Sequence, residues 1–340
     1  MILPIITLYV SSLTKIHTYE SATMLAEKGL IMLTTLYRRS LLGVADAPPV
    51  AKFVQSQGLK LGAGRFVAGE GLEDGIKAVK ALEAEGKYAI LDPLGEFVAS
   101  EEGVEEITQS ILAMLDTLAA QDMAQKYVSV KPTQFGLAIS RDKAYENAKR
   151  IAERAKHADI RICLDMENSP YVDDTLDIFK TLYNEGYHNL STVLQSYLYR
   201  TMADLEDLLT LSPKPFLRLV KGAYRENEEV AFQDKAKVDA AYHEMVFAAL
   251  EAGASIGLAT HDEGIIGEVE GFLRGAKDNA PYVEFQLLYG VKPALQQRLL
   301  AADHPVYIYV PYGPDWYGYF SRRLAERPAN LLFILRGLFA

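Results

Sequence analysis

Tyr319, Arg322, Arg323 and Glu326 stand at i, i+3, i+4 and i+7, so a helix sets all four on one face. Two adjacent arginines there can hold a carboxylate through paired N–H bonds, which a lysine ammonium does less specifically. The same spacing suits a solvated Arg/Glu face, and spacing alone does not separate the two. Tyr319 beside the two guanidiniums favours a pocket wall. Trp316, Phe320 and Leu324 form a neighbouring apolar stripe, and Pro328 ends the helix. Elsewhere polar groups follow short apolar runs: Asp92 to Glu96, Lys131, Asp165 to Glu167, Gln195, Lys221 with Gly222 and Ala223, Thr260 with His261, and Gln286. Arg218 and Tyr309 lie inside such runs. Any one of these suits a turn or cap; the whole set suggests a shared site.

The elements that must position them read as eight short strands: Lys87–Leu91, Tyr127–Lys131, Ile160–Leu164, Ser191–Gln195, Phe216–Val220, Ser255–Ala259, Tyr282–Gln286 and Val306–Val310. Each is about five residues of mostly Val, Ile, Leu, Tyr or Phe, as in fully buried parallel strands. They start 24 to 40 residues apart, one βα unit each. Helical patterns lie between them. Val104, Ile107, Ile111, Leu115 and Leu118 recur at helical spacing behind an acidic first turn, and Thr175 to Tyr183 repeats the pattern. Eight such units total about 250 residues, the size of a (β/α)8 TIM-type barrel of the α/β class. A doubly wound open sheet is the alternative, but it usually carries fewer strands and a Gly-rich first turn. Residues 1–85 read as an N-terminal helical segment, with candidates at 21–42, 50–57 and 72–84. Residues 86–340 read as the barrel domain with its C-terminal helices. In such a barrel chemistry sits at the carboxyl ends of the strands, where the polar groups fall.

Composition narrows the chemistry. The chain has 340 residues and a net charge of −10, against general nucleic-acid binding. Its single cysteine, Cys163, excludes an intrachain disulfide and a thiolate metal cluster, and suits a reducing compartment. The six histidines show no ligand spacing, so no metal is expected. There is no Walker loop and no G-x-S-x-G elbow. The apolar stretches at 1–10 and 29–37 are too short to span a bilayer, and neither reads as a secretory signal. They, and the apolar end at 331–339, suit packing or a peripheral membrane or partner contact. Two rival readings stay open: a Schiff-base lyase using Lys131, and a non-catalytic barrel whose arginine face holds acidic partner residues. Glu96 and Glu167 also imitate a glycosidase pair, although the chain has one Trp, few for a sugar cleft.

The stretches DPLGEFV (92–98), VSVKPTQFGL (128–137), ICLDMENS (162–169), TVLQSYLYR (192–200), LRLVKGAYRE (217–226), LATHDE (258–263), EFQLLYGV (284–291) and YVPYGPDWYGYFSRRLAE (309–326) occur in order, one per strand. Together they resemble flavin-dependent proline dehydrogenase, most closely its bacterial monofunctional branch, from about residue 37 onward. The resemblance implies a (β/α)8 barrel with N-terminal helices and non-covalently bound FAD. It implies oxidation of L-proline to Δ1-pyrroline-5-carboxylate, the first step toward glutamate, with electrons passed to a quinone. By motif position Lys131, Arg322 and Arg323 would hold the proline carboxylate, with Tyr309 and Tyr319 walling the ring. Asp165 and Arg218 would be catalytic, Asp165 ordering Lys131 and Arg218 lying near the flavin. Met166, Gln195, Arg218, Lys221, Gly222, Ala223, Thr260, His261, Gln286 and Glu326 would serve the cofactor site, Glu326 also supporting the arginine pair. Glu96 and Arg322 would pair as a gate. The resemblance fits a cytoplasmic protein, with peripheral contact at the inner membrane face and oligomerisation left open.

Overall fold

The computed structural model describes Leu59, residues 63–95, Val98 and residues 100–326, with side chains placed as far as Ser321. Within residues 64–316, one compact unit, eight parallel strands close into a barrel in sequence order. They are β1 (Tyr88–Pro93), β2 (Tyr127–Val130), β3 (Arg161–Leu164), β4 (Leu190–Gln195), β5 (Leu217–Val220), β6 (Ile256–Ala259), β7 (Val283–Leu288) and β8 (Val306–Tyr312). Helix α1 (Leu72–Ala84) precedes β1. The helices α2 (Glu101–Ala119), α3 (Arg141–His157), α4 (Val172–Asn184), α5 (Thr201–Leu208), α6 (Lys235–Glu251), α7 (Glu263–Ala276) and α8 (Pro293–Ala301) link successive strands. The helix α9 (Trp316–Glu326) follows β8. This closed order is the expected (β/α)8 barrel and rules out the open sheet. The helix expected at 72–84 is present, whereas the candidates at 21–42 and 50–57 lie outside the described residues. No helix among the described residues is long and apolar enough to cross a membrane.

Local chemistry explains where the elements start. Ser100, Ser140, Asp234 and Asp262 accept a hydrogen bond from a first-turn N–H of α2, α3, α6 and α7, satisfying donors that a helix start leaves free. On α2 the predicted stripe is inward: Val104, Ile111, Leu115 and Leu118 are buried. Strands β1 and β8 run further than the apolar pattern suggests, because each supplies the other's partner. Asp92 registers with Pro311 and Pro93 with Tyr312, and the Leu94 N–H donates to the Tyr312 carbonyl at 2.7 Å. Both prolines sit at or next to a strand end, where a missing N–H is tolerated.

The two faces of the barrel wall differ. Leu217 and Leu219 of β5 are fully buried and alternate with Arg218, as Val128 and Val130 alternate with Ser129 in β2. Arg218 reaches Ser129 of β2, Asp165 after β3 and Gln286 of β7. Strands so far apart around the wall meet only across the barrel interior, so the alternate positions point inward. Barrels of this type usually fill that space with layers of Val, Ile and Leu. Here a hydrogen-bonded polar column runs through it. Cys163, also in the wall, is fully buried, and burial pushes its thiol up, which suits an inert residue.

Candidate active site

The polar column ends at the carboxyl-terminal mouth of the barrel. The Asp165 N–H bonds to the Val130 carbonyl at 2.9 Å, which carries the β2–β3 pairing one residue past β3. Asp165 Oδ1 then accepts from Ser129 Oγ at 2.6 Å and from Arg218 Nη1 at 2.7 Å. Its Oδ2 accepts from the Tyr309 hydroxyl at 2.7 Å. Arg218 Nη1 also donates to Ser129 Oγ at 2.9 Å, and Arg218 Nε donates to Gln286 Oε1 at 2.8 Å. The Arg218 guanidinium lies 5.1 Å from the Tyr309 ring centre. Beside this group, Lys131 Nζ donates to Asp92 Oδ1 at 2.7 Å. The Lys131 side chain keeps 23% of its surface exposed while that of Asp92 keeps 3%, so a cation faces the mouth from a buried anion.

Charge states follow from these partners. Burial opposes the Lys131 ammonium, but the charges of Asp92 and Asp165 outweigh it and raise its pKa. A Schiff-base lysine needs the opposite, a depressed pKa that yields a neutral amine at work. The ion pair with Asp92 therefore disfavours the neutral amine that the lyase reading needs. Burial, together with the negative charges of Asp165 and Asp92, pushes the Tyr309 phenol far up, so it remains a donor. Glu167 is tied by the Thr133 backbone N–H at 2.9 Å and its hydroxyl at 2.7 Å, and burial pushes its carboxyl up against those two bonds.

The remaining expected residues spread around the same mouth. Met166 is buried. Gln195 Nε2 donates to the Glu167 carbonyl at 2.8 Å. Lys221 donates to Asp239 at 2.7 Å and Asp262 at 2.9 Å, which anchors the loop after β5 to α6 and to the start of α7. Thr260 Oγ1 accepts from the Asp262 N–H at 3.1 Å, and His261 Nε2 accepts from the Leu288 N–H at 3.1 Å. Ala223 is exposed. Gly222 has φ +114°, and a Cβ there would stand 2.4 Å from the Tyr197 ring. Gly222→Ala is expected to lift the loop after β5 off Tyr197, read as faster proteolysis within residues 221–234; an unchanged cleavage rate would contradict this.

Among the described residues, the buried polar atoms without a hydrogen-bond partner include Arg218 Nη2, a donor, and Gln195 Oε1, an acceptor. Orphaned buried groups cost about 1–3 kcal/mol each unless a ligand satisfies them. An isoalloxazine ring offers both an N–H donor and carbonyl acceptors, so the residues present fit a flavin.

One expectation is corrected. The Lys131 ammonium donates to Asp92, while the Asp165 oxygens take Ser129, Arg218 and Tyr309, so Asp165 acts on Lys131 through its charge alone. Sequence reasoning placed Asp92 among the polar groups at the strand ends without giving it a role, and it passed over Ser129. Strict alternation offered a signal, because Ile90 and Asp92, and Ser129 and Lys131, fall on common faces of their strands. Tyr319 is buried on α9. Arg322, Arg323 and Glu326 also lie on α9, but their side chains, like Glu96, are outside the described residues.

The family model described as proline dehydrogenase matches residues 75–336. A proline dehydrogenase of Deinococcus radiodurans is 42% identical over 311 residues, covering 90% of this chain and 99% of that protein. Proline dehydrogenase 2 of Bacillus subtilis is 39% identical over 287 residues, covering 84% and 93%. Among solved structures, proline utilization A (PutA) from Bdellovibrio bacteriovorus, inactivated by N-propargylglycine, superposes with a TM-score of 0.74 at 22% identity. That match covers 82% of this chain and 34% of the other, and it speaks to the fold.

Proposed function

The chain belongs to the proline dehydrogenase family, and from that premise we propose that it oxidises L-proline to Δ1-pyrroline-5-carboxylate with FAD and passes the electrons to a quinone. The bound flavin supplies the two-electron acceptor. The observation that carries the reading is the Arg218–Asp165–Tyr309 group beside the Lys131–Asp92 pair, with one buried guanidinium donor left over. Proline is a small zwitterion, and the Lys131 ammonium gives its carboxylate a fixed cation at the mouth. Oxidation removes a hydride from ring carbon C5 and a proton from the nitrogen, so the amine must be neutral when the hydride leaves. Tyr309 closes one side of the ring, held in place by Asp165. Arg218, a permanent cation, favours negative charge developing on the acceptor beside it. Met166, Gln195, Lys221, Gly222, Ala223, Thr260, His261 and Gln286 complete the cofactor's surroundings in this reading. A quinone acceptor brings reoxidation to a membrane surface, where a peripheral contact would serve it.

The test is direct. The purified protein should be yellow, should release FAD on denaturation, and should bleach under anaerobic L-proline and recolour with a soluble quinone. A colourless protein that cannot be loaded with flavin, or flavin untouched by proline, would overturn the reading. Within it, Lys131→Met is expected to weaken binding of a proline-like carboxylate about 10- to 150-fold, the worth of a charged hydrogen bond of roughly 1.5–3 kcal/mol. Because Asp92 would then be buried alone, the companion Lys131→Met/Asp92→Asn separates binding from folding. Unaltered affinity in that pair would remove Lys131 from the substrate site.

A further inference from the structure

We propose that Glu284 and Arg161, at the amino-terminal floor of the barrel, are positioning residues that fix the orientation of Arg218 through Gln286. The inference rests on the reading of Arg218 as the cation of a proline-oxidising site, and extends it to residues that touch neither substrate nor cofactor. Arg161 is the first residue of β3, and Glu284 is the second of β7. Arg161 Nη1 donates to Glu284 Oε1 at 2.5 Å. Gln286 Nε2 donates to Glu284 Oε2 at 2.9 Å, and Gln286 Oε1 accepts from Arg218 Nε at 2.8 Å.

The logic lies in what each group can do. A glutamine amide is ambivalent, with an oxygen that accepts and a nitrogen that donates, and it can turn either end toward a neighbour. A guanidinium only donates, and an ionised carboxylate only accepts. Set between Arg218 and Glu284, the amide has one orientation that satisfies both. Glu284 thus locks Gln286, and Gln286 holds one edge of Arg218 while Asp165 and Ser129 hold Nη1. Of the guanidinium's nitrogens only Nη2 is left uncommitted. Glu284 is fully buried, and a carboxylate there needs a counter-charge. Arg161 supplies it, with its guanidinium 4.2 Å from the Tyr127 ring centre and 4.7 Å from that of Phe216.

One principle and one further observation favour a built device over incidental packing. Buried ion pairs can often be replaced by apolar groups without loss, so stability alone does not call for one here. The backbone also makes room for the amide: a Cβ on Gly257, in β6 beside it, would stand 2.4 Å from Gln286 Nε2.

The test uses paired variants of the flavin-loaded protein. Arg161→Met/Glu284→Leu removes the acceptor and its counter-charge together, leaving no buried charge alone. Arg161→Met/Glu284→Gln keeps a side-chain oxygen facing Gln286. The leucine pair should load flavin normally, reduce it with proline about tenfold more slowly and show a lower flavin midpoint potential, with the KM for proline within about twofold of wild type. The glutamine pair should recover most of the rate and potential. Gln286→Met, which leaves the Arg161–Glu284 bond intact, should reproduce the leucine pair's defect, and combining the two should add little, because they act in series. Wild-type rate and potential in the leucine pair, equal defects in the leucine and glutamine pairs, or multiplying defects in the combination overturn the relay. If the leucine pair fails to fold, Gln286→Met decides alone: a wild-type rate and potential there overturn the relay. A wild type that takes up no flavin overturns the functional reading and the relay with it.

Discussion

Asp165→Ala is expected to lower the unfolding temperature and abolish proline oxidation together. Its two oxygens take hydrogen bonds from Ser129, Arg218 and Tyr309. The Arg218 side chain is 4% exposed, so removing its carboxylate leaves a buried charge without a counter-ion. Breaking a buried pair in this way costs about 3–5 kcal/mol. Asp165→Asn should be milder in stability, since its amide oxygen can still accept from Arg218 and Ser129. It should lose activity nonetheless, because the charge balancing the guanidinium is gone. Thermal unfolding of the flavin-loaded variants beside turnover checks both statements. An alanine variant that melts with the wild type would show that Asp165 carries no structural charge.

Arg218→Met carries the second large effect. In the proposed reading it removes the cation beside the acceptor, so the flavin midpoint potential should fall. Flavin reduction by proline should slow about 10²- to 10³-fold, the usual loss when a preorganised donor is deleted from a site. Arg218→Lys restores the charge but not the fork, because an ammonium cannot meet Gln286, Asp165 and Ser129 in the geometry of the guanidinium Nε and Nη1. It should recover much of the potential and little of the rate. A methionine variant with an unchanged potential, folded and flavin-loaded, would remove Arg218 from the electrostatics of the reaction.

Much of the architecture could be read directly. The eight strands are short and buried on both faces, so each appears as an apolar run that ends within two residues of its observed boundary. Two of the misread ends, Asp92–Pro93 and Pro311–Tyr312, are instructive. A polar residue or a proline looks like a break in an isolated run, but barrel closure gives both segments a partner that no local pattern reveals. That error hid the role of Asp92, which looked like the first residue of a loop and is the counter-ion of Lys131. Lys131, Asp165, Arg218 and Tyr309 were legible from their motifs. Ser129, Gln286's partner Glu284, and Arg161 were harder to see as a group, because they sit within or at the foot of strands whose apolar neighbours dominate the pattern. Only closure brings β2, β3, β5 and β7 around one axis, where donors and acceptors far apart in the chain are matched.

That interior column constrains how such a chain can drift. Between strands and helices, one aliphatic residue trades for another with modest loss, and the shell tolerates wandering. Along the axis, Arg161, Glu284, Gln286 and Arg218 each complete the next, so a lone exchange strands its neighbour. Substitutions there should survive as matched sets, and descendants that share the column should differ at these positions jointly or not at all.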